Sequence, residues 1–357
     1  MRLGLVAERL LDWVALASGR VPTPIIDALP GLIIARALMA ATRLGIFDAL
    51  AASALPAEGL ATLCATDPVA TEKLLNLLVA QRYLQRTQGR YSLTATARRW
   101  LLHDGPQSIH AYLRYNELQW DWLGRTEAFV QTGRPIRFHQ EMAAADWDLY
   151  QQGMLAIARL TAPEVAWRIP VPSGANQLLD IGGAHGAYSA ALCRRHPHLS
   201  ATILDLPEAI EYAAPLLAEM GMGERVRQVA GDALTTDLGI ARYDVVFIAN
   251  LVHHFDAATN CALMQRVARA LAPGGLCVIQ EGIRPGEAEQ PRQLEACGDF
   301  FFALTSEAGL YSFAEMSAWQ RAAGLAPLHP IRLLTGPGQG LQMAHKPTAT
   351  RQPQRRR

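Results

Sequence analysis

The feature that most restricts the fold is a change of texture at about Gln177. Six short apolar runs follow, "QLLDIGG", "SATILDL", "VRQVAGD", "YDVVFIAN", "LCVIQEG" and "GLQMAHK", with helical spacing in the stretches between them. Such alternation reads as a parallel sheet covered by helices on both faces. A sheet of this kind binds ligands beyond the carboxyl ends of its strands, where the strand order reverses. The residues that end each run are therefore the ones to inspect for chemistry.

Upstream the pattern is helical up to about residue 105. Short helices are expected from Pro30 to Leu44, from Gly45 to Ala52, and over "PAEGLATLCA" and "DPVATEKLLNLLVAQRYL". A hairpin around Gln88 and Gly89 follows, which makes a winged-helix arrangement. Residues 107–170 are again mainly helical and carry Trp120, Trp122, Trp147 and Tyr150. At 357 residues the chain has room for two domains. The expected division is a helical domain over 1–105, a helical linker over 106–170, a sheet domain over 171–348 and a disordered tail over 349–357.

Charge and cysteine usage exclude several classes. A net charge of +1 gives no electrostatic basis for a nucleic-acid partner. The five cysteines are odd in number and widely spaced, without a C-x-x-C pair, which points to reduced thiols and no zinc site. The N-terminus lacks the uninterrupted apolar core of a signal peptide. "LPGLIIARALMAATRLGIF" is cut by Arg36 and Arg43, so no membrane span is predicted and a cytoplasmic protein is expected.

Chemistry collects at the strand ends. In "LLDIGGAHG", Gly182 and Gly183 let the backbone turn sharply close to a ligand, and Gly186 lets the next helix pack tightly. The series does not match G-x-G-x-x-G, which weighs against a nicotinamide-dependent oxidoreductase. Asp205 ends the second run, where a carboxylate can accept both hydroxyls of a ribose. Asp232 ends the third, placed to accept an exocyclic adenine amine. Two acids at successive tips after a glycine turn favour a nucleoside site over a plain turn. The fourth run leads into "LVHHF" and the fifth delivers Glu281 to the same rim. A histidine beside a carboxylate makes a general base with its orienter. Adjacent histidines in a loop point different ways and no further ligand is at metal spacing, so no metal is expected.

Together, "LLDIGGAHG", "LDLP", "GD", "LVHHFDAATNCALMQRVARALAPGG" and "VIQEGIRP" resemble the successive motifs of class I S-adenosylmethionine-dependent small-molecule O-methyltransferases. The likeness is to the bacterial and plant type with an N-terminal winged-helix dimerisation domain, and it runs from about Leu32 to Lys346. The resemblance implies an α/β fold, a Rossmann-like domain with a mostly parallel seven-stranded sheet behind a mainly helical dimerisation domain, and a homodimer. It implies S-adenosylmethionine, yielding S-adenosylhomocysteine, over Gly182 and Gly183, with Asp205 and Leu206 at the ribose and Asp232 and Ala233 by the adenine. Asn250 is a further expected contact.

The family's H-x-[WF] pattern puts the base at His253, with Glu281 orienting it and Phe255 at the aromatic position. Ala184 stands where a third glycine is usual. A second supporting carboxylate is missing near Leu310, and Glu307 is the expected substitute. Trp120, Tyr150, Met154, Phe301, Phe302 and Tyr311 are expected to line the acceptor pocket, with Trp122 and His139 as further candidates. An aromatic lining points to a flat, polyketide-like acceptor. The missing carboxylate keeps open an alternative: a member that binds the cofactor and catalyses decarboxylation, hydroxylation or ring formation. A DNA-binding winged helix is disfavoured by the near-neutral charge.

Overall fold

A computed structural model describes residues 4, 6–286 and 288–348. The tail expected over 349–357 lies outside the described residues. The chain divides into two compact units, residues 2–121 and 122–357. That division falls inside the stretch read from sequence as a linker.

The first unit holds α1 (Leu10–Ala17), α2 (Thr23–Arg43), α3 (Ile46–Ala49), α4 (Ala57–Leu63), α5 (Pro68–Ala80), β1 (Leu84–Thr87), β2 (Arg90–Leu93), α6 (Ala95–Trp100) and α7 (His110–Leu123). β1 and β2 form the expected hairpin, and both turn residues have positive φ, Gln88 at 49° and Gly89 at 75°. Such a turn matches the right-handed twist of the strands. Phe47, Leu50, Leu60, Leu75, Leu78 and Tyr91 fill the core. α2 begins seven residues before the expected Pro30, which lies inside the helix. By length and composition α2 is long and apolar enough to cross a membrane, although Asp27, Arg36 and Arg43 lie within it. Ile25, Leu29, Leu32 and Ile33 make one exposed apolar stripe along it.

The second unit opens with α8 (Thr126–Thr132), α9 (Phe138–Glu141) and α10 (Ala144–Arg168). The alternating elements follow as β3 (Gln177–Ile181), α11 (Ala187–Arg195), β4 (Ser200–Asp205), α12 (Pro207–Glu219), β5 (Val226–Ala230), β6 (Tyr243–Ala249), α13 (Ala257–Ala270) and β7 (Leu271–Gly282). After them come α14 (Gln293–Thr305), α15 (Phe313–Ala322), β8 (Ala326–Pro327), β9 (Ile331–Arg332) and β10 (Gln339–His345).

The sheet runs β5-β4-β3-β6-β7-β10-β8, with β9 also on β10. It has seven positions across, as expected, but eight strands, because β8 and β9 pair with opposite ends of β10. β5 to β7 are parallel, and β10 runs antiparallel to β7 with Gly340 opposite Glu281. Val245 and Phe247 pack on the α10 and α11 side, Val246 and Ile248 on the α13 and α15 side. Burial on both faces explains why these strands read as unbroken apolar runs. The chain order reverses between β3 and β6, so their tips open the crevice.

Candidate functional site

At the β3 tip the backbone turns through Gly182, with φ of 74°, into α11. A Cβ on Gly183 would lie 2.4 Å from Asp180 Cγ, so glycine is required there by space alone. The turn is tied down from two sides. Asp205 Oδ2 accepts Ala184 N–H at 2.9 Å, and Gln228 donates to the Ala184 carbonyl at 2.7 Å. Ala184 itself has φ of 30°, a strained value for a residue with a Cβ. Burial pushes the Asp205 carboxyl up to about 6 despite the two backbone amides it accepts. Asp232 Oδ1 accepts Leu234 N–H at 2.7 Å, which leaves Oδ2 unengaged.

These tips border a cavity of about 840 Å³. Gly182, Gly183, Asp205, Leu206, Asp232, Ala233 and Asn250 all line it, so the whole set expected from the strand ends is brought together. Tyr150, Met154 and Glu307 line it as well.

The two histidines of "LVHHF" have separate surroundings. After β6, a short turn over Val252–His254 is clamped by Asn260, whose amide donates to the Val252 and Phe255 carbonyls at 2.9 and 3.0 Å. His253 is 2 % exposed, and its Nδ1 lies 2.9 Å from Glu281 Oε1 on the neighbouring strand. Glu281 is fully buried, accepts Gly282 N–H on the same oxygen, and has no partner for Oε2 among the described residues. Phe302 packs over the His253 ring at 3.9 Å.

His254 faces the cavity and pairs with Ser306 Oγ at 3.0 Å. Burial holds its imidazole well below the ordinary 6.5, helped by the charge of His253 and then His139. His139, also on the cavity wall, contacts Tyr150 OH at 3.1 Å and is pushed down to about 3 by burial and then by His253. Two neutral imidazoles therefore stand on the cavity wall, while His253, its ring 4.2 Å from that of His254, and its partner Glu281 are buried and are not wall residues.

The remaining expected residues lie elsewhere. Phe301 and Phe302 pack against each other behind His253, away from the cavity wall. Tyr311 is core, because its hydroxyl donates to the Phe255 carbonyl at 2.8 Å and its ring sits edge-on to Trp319. Trp120 belongs to the first unit, where Arg36 lies over its ring. Trp122 packs on Phe138. Glu307 is paired with Arg137 at 2.9 Å. Leu310, at the missing carboxylate's position, is buried and lies against Gly282. Sequence reasoning passed over Gln151 and His185, which also line the cavity. His185 was legible inside the glycine turn, whereas nothing distinguishes Gln151 from Gln152 before the helix is placed.

No group of three or more His, Cys, Asp or Glu capable of holding a metal occurs among the described residues. The glycine cradle, two acidic strand tips and a cavity larger than a nucleoside fit an adenosine-bearing cofactor.

Comparison with known proteins agrees. Residues 126–325 match the O-methyltransferase domain family, and residues 26–103 match the O-methyltransferase dimerisation domain. A 3-hydroxy-5-methyl-1-naphthoate 3-O-methyltransferase of Streptomyces sahachiroi is 29% identical over 334 residues, 90% of this chain and 94% of that protein. The tetracenomycin polyketide synthesis 8-O-methyl transferase TcmO of Streptomyces glaucescens is 29% identical over 304 residues, 81% of this chain and 87% of that protein. In fold, the chain is similar to human N-acetylserotonin methyltransferase in complex with SAM, with a TM-score of 0.82 at 19% identity, covering 96% of this chain and all of that one. With a matched domain spanning more than half its length and a fitted adenosine site, the chain belongs to the S-adenosylmethionine-dependent O-methyltransferase family.

Proposed function

We propose that the protein methylates a hydroxyl of an aromatic, polyketide-like small molecule, with His253 as general base positioned by Glu281. The observation that carries this reading is the buried 2.9 Å contact between His253 Nδ1 and Glu281 Oε1. Glu281 is an acceptor, so the His253 proton sits on Nδ1 and Nε2 is the basic nitrogen. Nε2 has no protein partner among the described residues and takes the hydroxyl proton as the acceptor oxygen becomes the nucleophile. The buried carboxylate then offsets the positive charge that arises on the ring. His254 and His139 stay neutral and serve as hydrogen-bonding walls.

S-adenosylmethionine, when bound, supplies the methyl group on its sulfonium. Gly182, Gly183, Asp205, Leu206, Asp232, Ala233 and Asn250 are the residues we assign to holding it. Tyr150 and Met154 are assigned to the acceptor side, and Phe302 to fixing the His253 ring. Glu307, already bound to Arg137, is assigned to the rim, so one carboxylate supports the base. Relatives acting on a hydroxynaphthoate and on a tetracenomycin polyketide support an aromatic acceptor.

The test is transfer of labelled methyl to a panel of hydroxylated naphthoates and polycyclic polyketides. His253→Ala is expected to lower turnover at least tenfold with S-adenosylhomocysteine affinity unchanged. An unchanged rate removes the histidine from the mechanism. Acceptor consumed without label would favour the non-methylating alternative. We also propose a homodimer: the dimerisation-domain match starts at residue 26, and α1 and α2 leave Leu10, Leu11, Trp13, Ile25, Leu29 and Leu32 exposed.

A further inference from the structure

Gln151 is 1 % exposed on the cavity-facing side of α10, and among the described residues neither its Oε1 nor its Nε2 has a hydrogen-bond partner. A buried amide with both ends unsatisfied is destabilising in the ligand-free protein, so its presence in a cavity wall calls for a ligand that satisfies it. His185 is also buried and lines the same cavity. Its Nδ1 accepts Ala187 N–H at 3.2 Å, which puts the ring proton on Nε2, and among the described residues that N–H has no hydrogen-bond acceptor. Burial and the nearby Arg159 charge push His185 down to about 4, so it is a neutral donor at working pH.

The position of both residues narrows the ligand. Asp205 and Asp232 end β4 and β5, on one side of the glycine turn, and take the ribose and adenine in the reading above. His253 follows β6 on the other side and marks the acceptor. The part of the cofactor between them would lie near the glycine turn, where His185 and Gln151 line the cavity. A primary amide offers one acceptor and a two-proton donor group, which complements an ammonium beside a carboxylate better than it complements a flat aromatic ring.

We propose that Gln151 and His185 bind the zwitterionic α-amino-acid end of the cofactor, Gln151 spanning ammonium and carboxylate and His185 donating to the carboxylate. The proposal rests on the cofactor placement above and goes beyond it in naming two side chains that strand-end logic does not reach.

Affinities of the full-length protein for S-adenosylhomocysteine and for 5′-methylthioadenosine, which lacks the amino-acid end, separate the possibilities by calorimetry without turnover. Gln151→Leu is expected to weaken S-adenosylhomocysteine at least tenfold and 5′-methylthioadenosine less than twofold. Its ligand-free melting temperature should hold or rise, since an unsatisfied amide is removed. His185→Phe is expected to follow the same pattern, and Gln151→Met repeats the test if the leucine variant does not fold. Unchanged affinity for both ligands, or equal loss for both, overturns the proposal. Wild-type protein that binds neither ligand overturns the cofactor placement and the proposal with it.

Discussion

Replacing Glu281 with glutamine keeps the side chain's shape and removes its charge. To go on accepting the His253 Nδ1–H and Gly282 N–H, the glutamine must place its oxygen at the Oε1 position. Its NH₂ then takes the Oε2 position, which has no acceptor. The electrostatic loss can be sized. Unit charges ~4 Å apart at an effective dielectric of 20 interact by about 4 kcal/mol. A base that has taken half the proton at the transition state loses about half of that, ~2 kcal/mol, which is roughly a 30-fold drop in rate. The stranded NH₂ adds a ground-state penalty of about 1–3 kcal/mol to the fold and not to the barrier. Single-turnover transfer of labelled methyl at saturating cofactor reads the chemical step, and calorimetry with S-adenosylhomocysteine reads the cofactor site. The expected result is a 30- to 100-fold slower transfer with cofactor affinity within twofold. A rate within threefold of wild type refutes the charge argument. A parallel loss of cofactor affinity would reassign Glu281 to shaping the crevice.

Acidification should expose the neutral histidines. His139 charges near 3 when folded and near 6.5 when unfolded, so the unfolded state binds more protons below 6.5 and stability falls as pH drops. At pH 5 this amounts to about 2 kcal/mol. Asp180, pushed up to about 7, and Asp205, at about 6, act in the opposite direction, so the readout is a difference. Melting curves of His139→Phe should lose less stability between pH 7 and 5 than wild type, and identical slopes would contradict its buried neutral state. Gly183→Ala, with its Cβ driven into Asp180, should cost about 1–3 kcal/mol and abolish detectable S-adenosylhomocysteine binding by calorimetry. Ala184→Gly should gain up to about 1 kcal/mol in denaturant melts by relieving a φ of 30°. Leu29→Asp with Leu32→Asp should convert a dimer to monomer in light scattering, and a species of unchanged mass would move the interface elsewhere.

The cofactor side of the site was legible because strand-end residues need no packing information. Once the apolar runs are known to be parallel strands, Gly182, Asp205, Asp232 and Asn250 must meet at one rim. The acceptor side was not, because it is built from helices. Whether Phe301, Phe302 or Tyr311 faces the cavity depends on the rotation of α14 and the path into α15, and an aromatic side chain reads the same whether it lines a pocket or a core. Trp120 falls in the first unit, since the division lies after it, at 121/122. His139 and Gln151 carry no motif. His139 is already a candidate in the sequence, whereas Gln151 becomes visible only when α10 is set against the strand tips.

The proposed base follows β6 in the turn over Val252–His254, its proposed positioning acid lies near the end of the adjacent parallel β7, and β10 pairs along the other edge of β7 with Gly340 opposite Glu281. The Glu281 strand is thus held by main-chain hydrogen bonds on both edges and the His253 turn by the Asn260 side chain, while the wall proposed to meet the acceptor is carried on α9 and α10. Diversifying Tyr150, Met154 and His139 in a combinatorial library therefore samples new acceptors without disturbing the proton-transfer pair, and a scaffold divided in this way lends itself to retargeting.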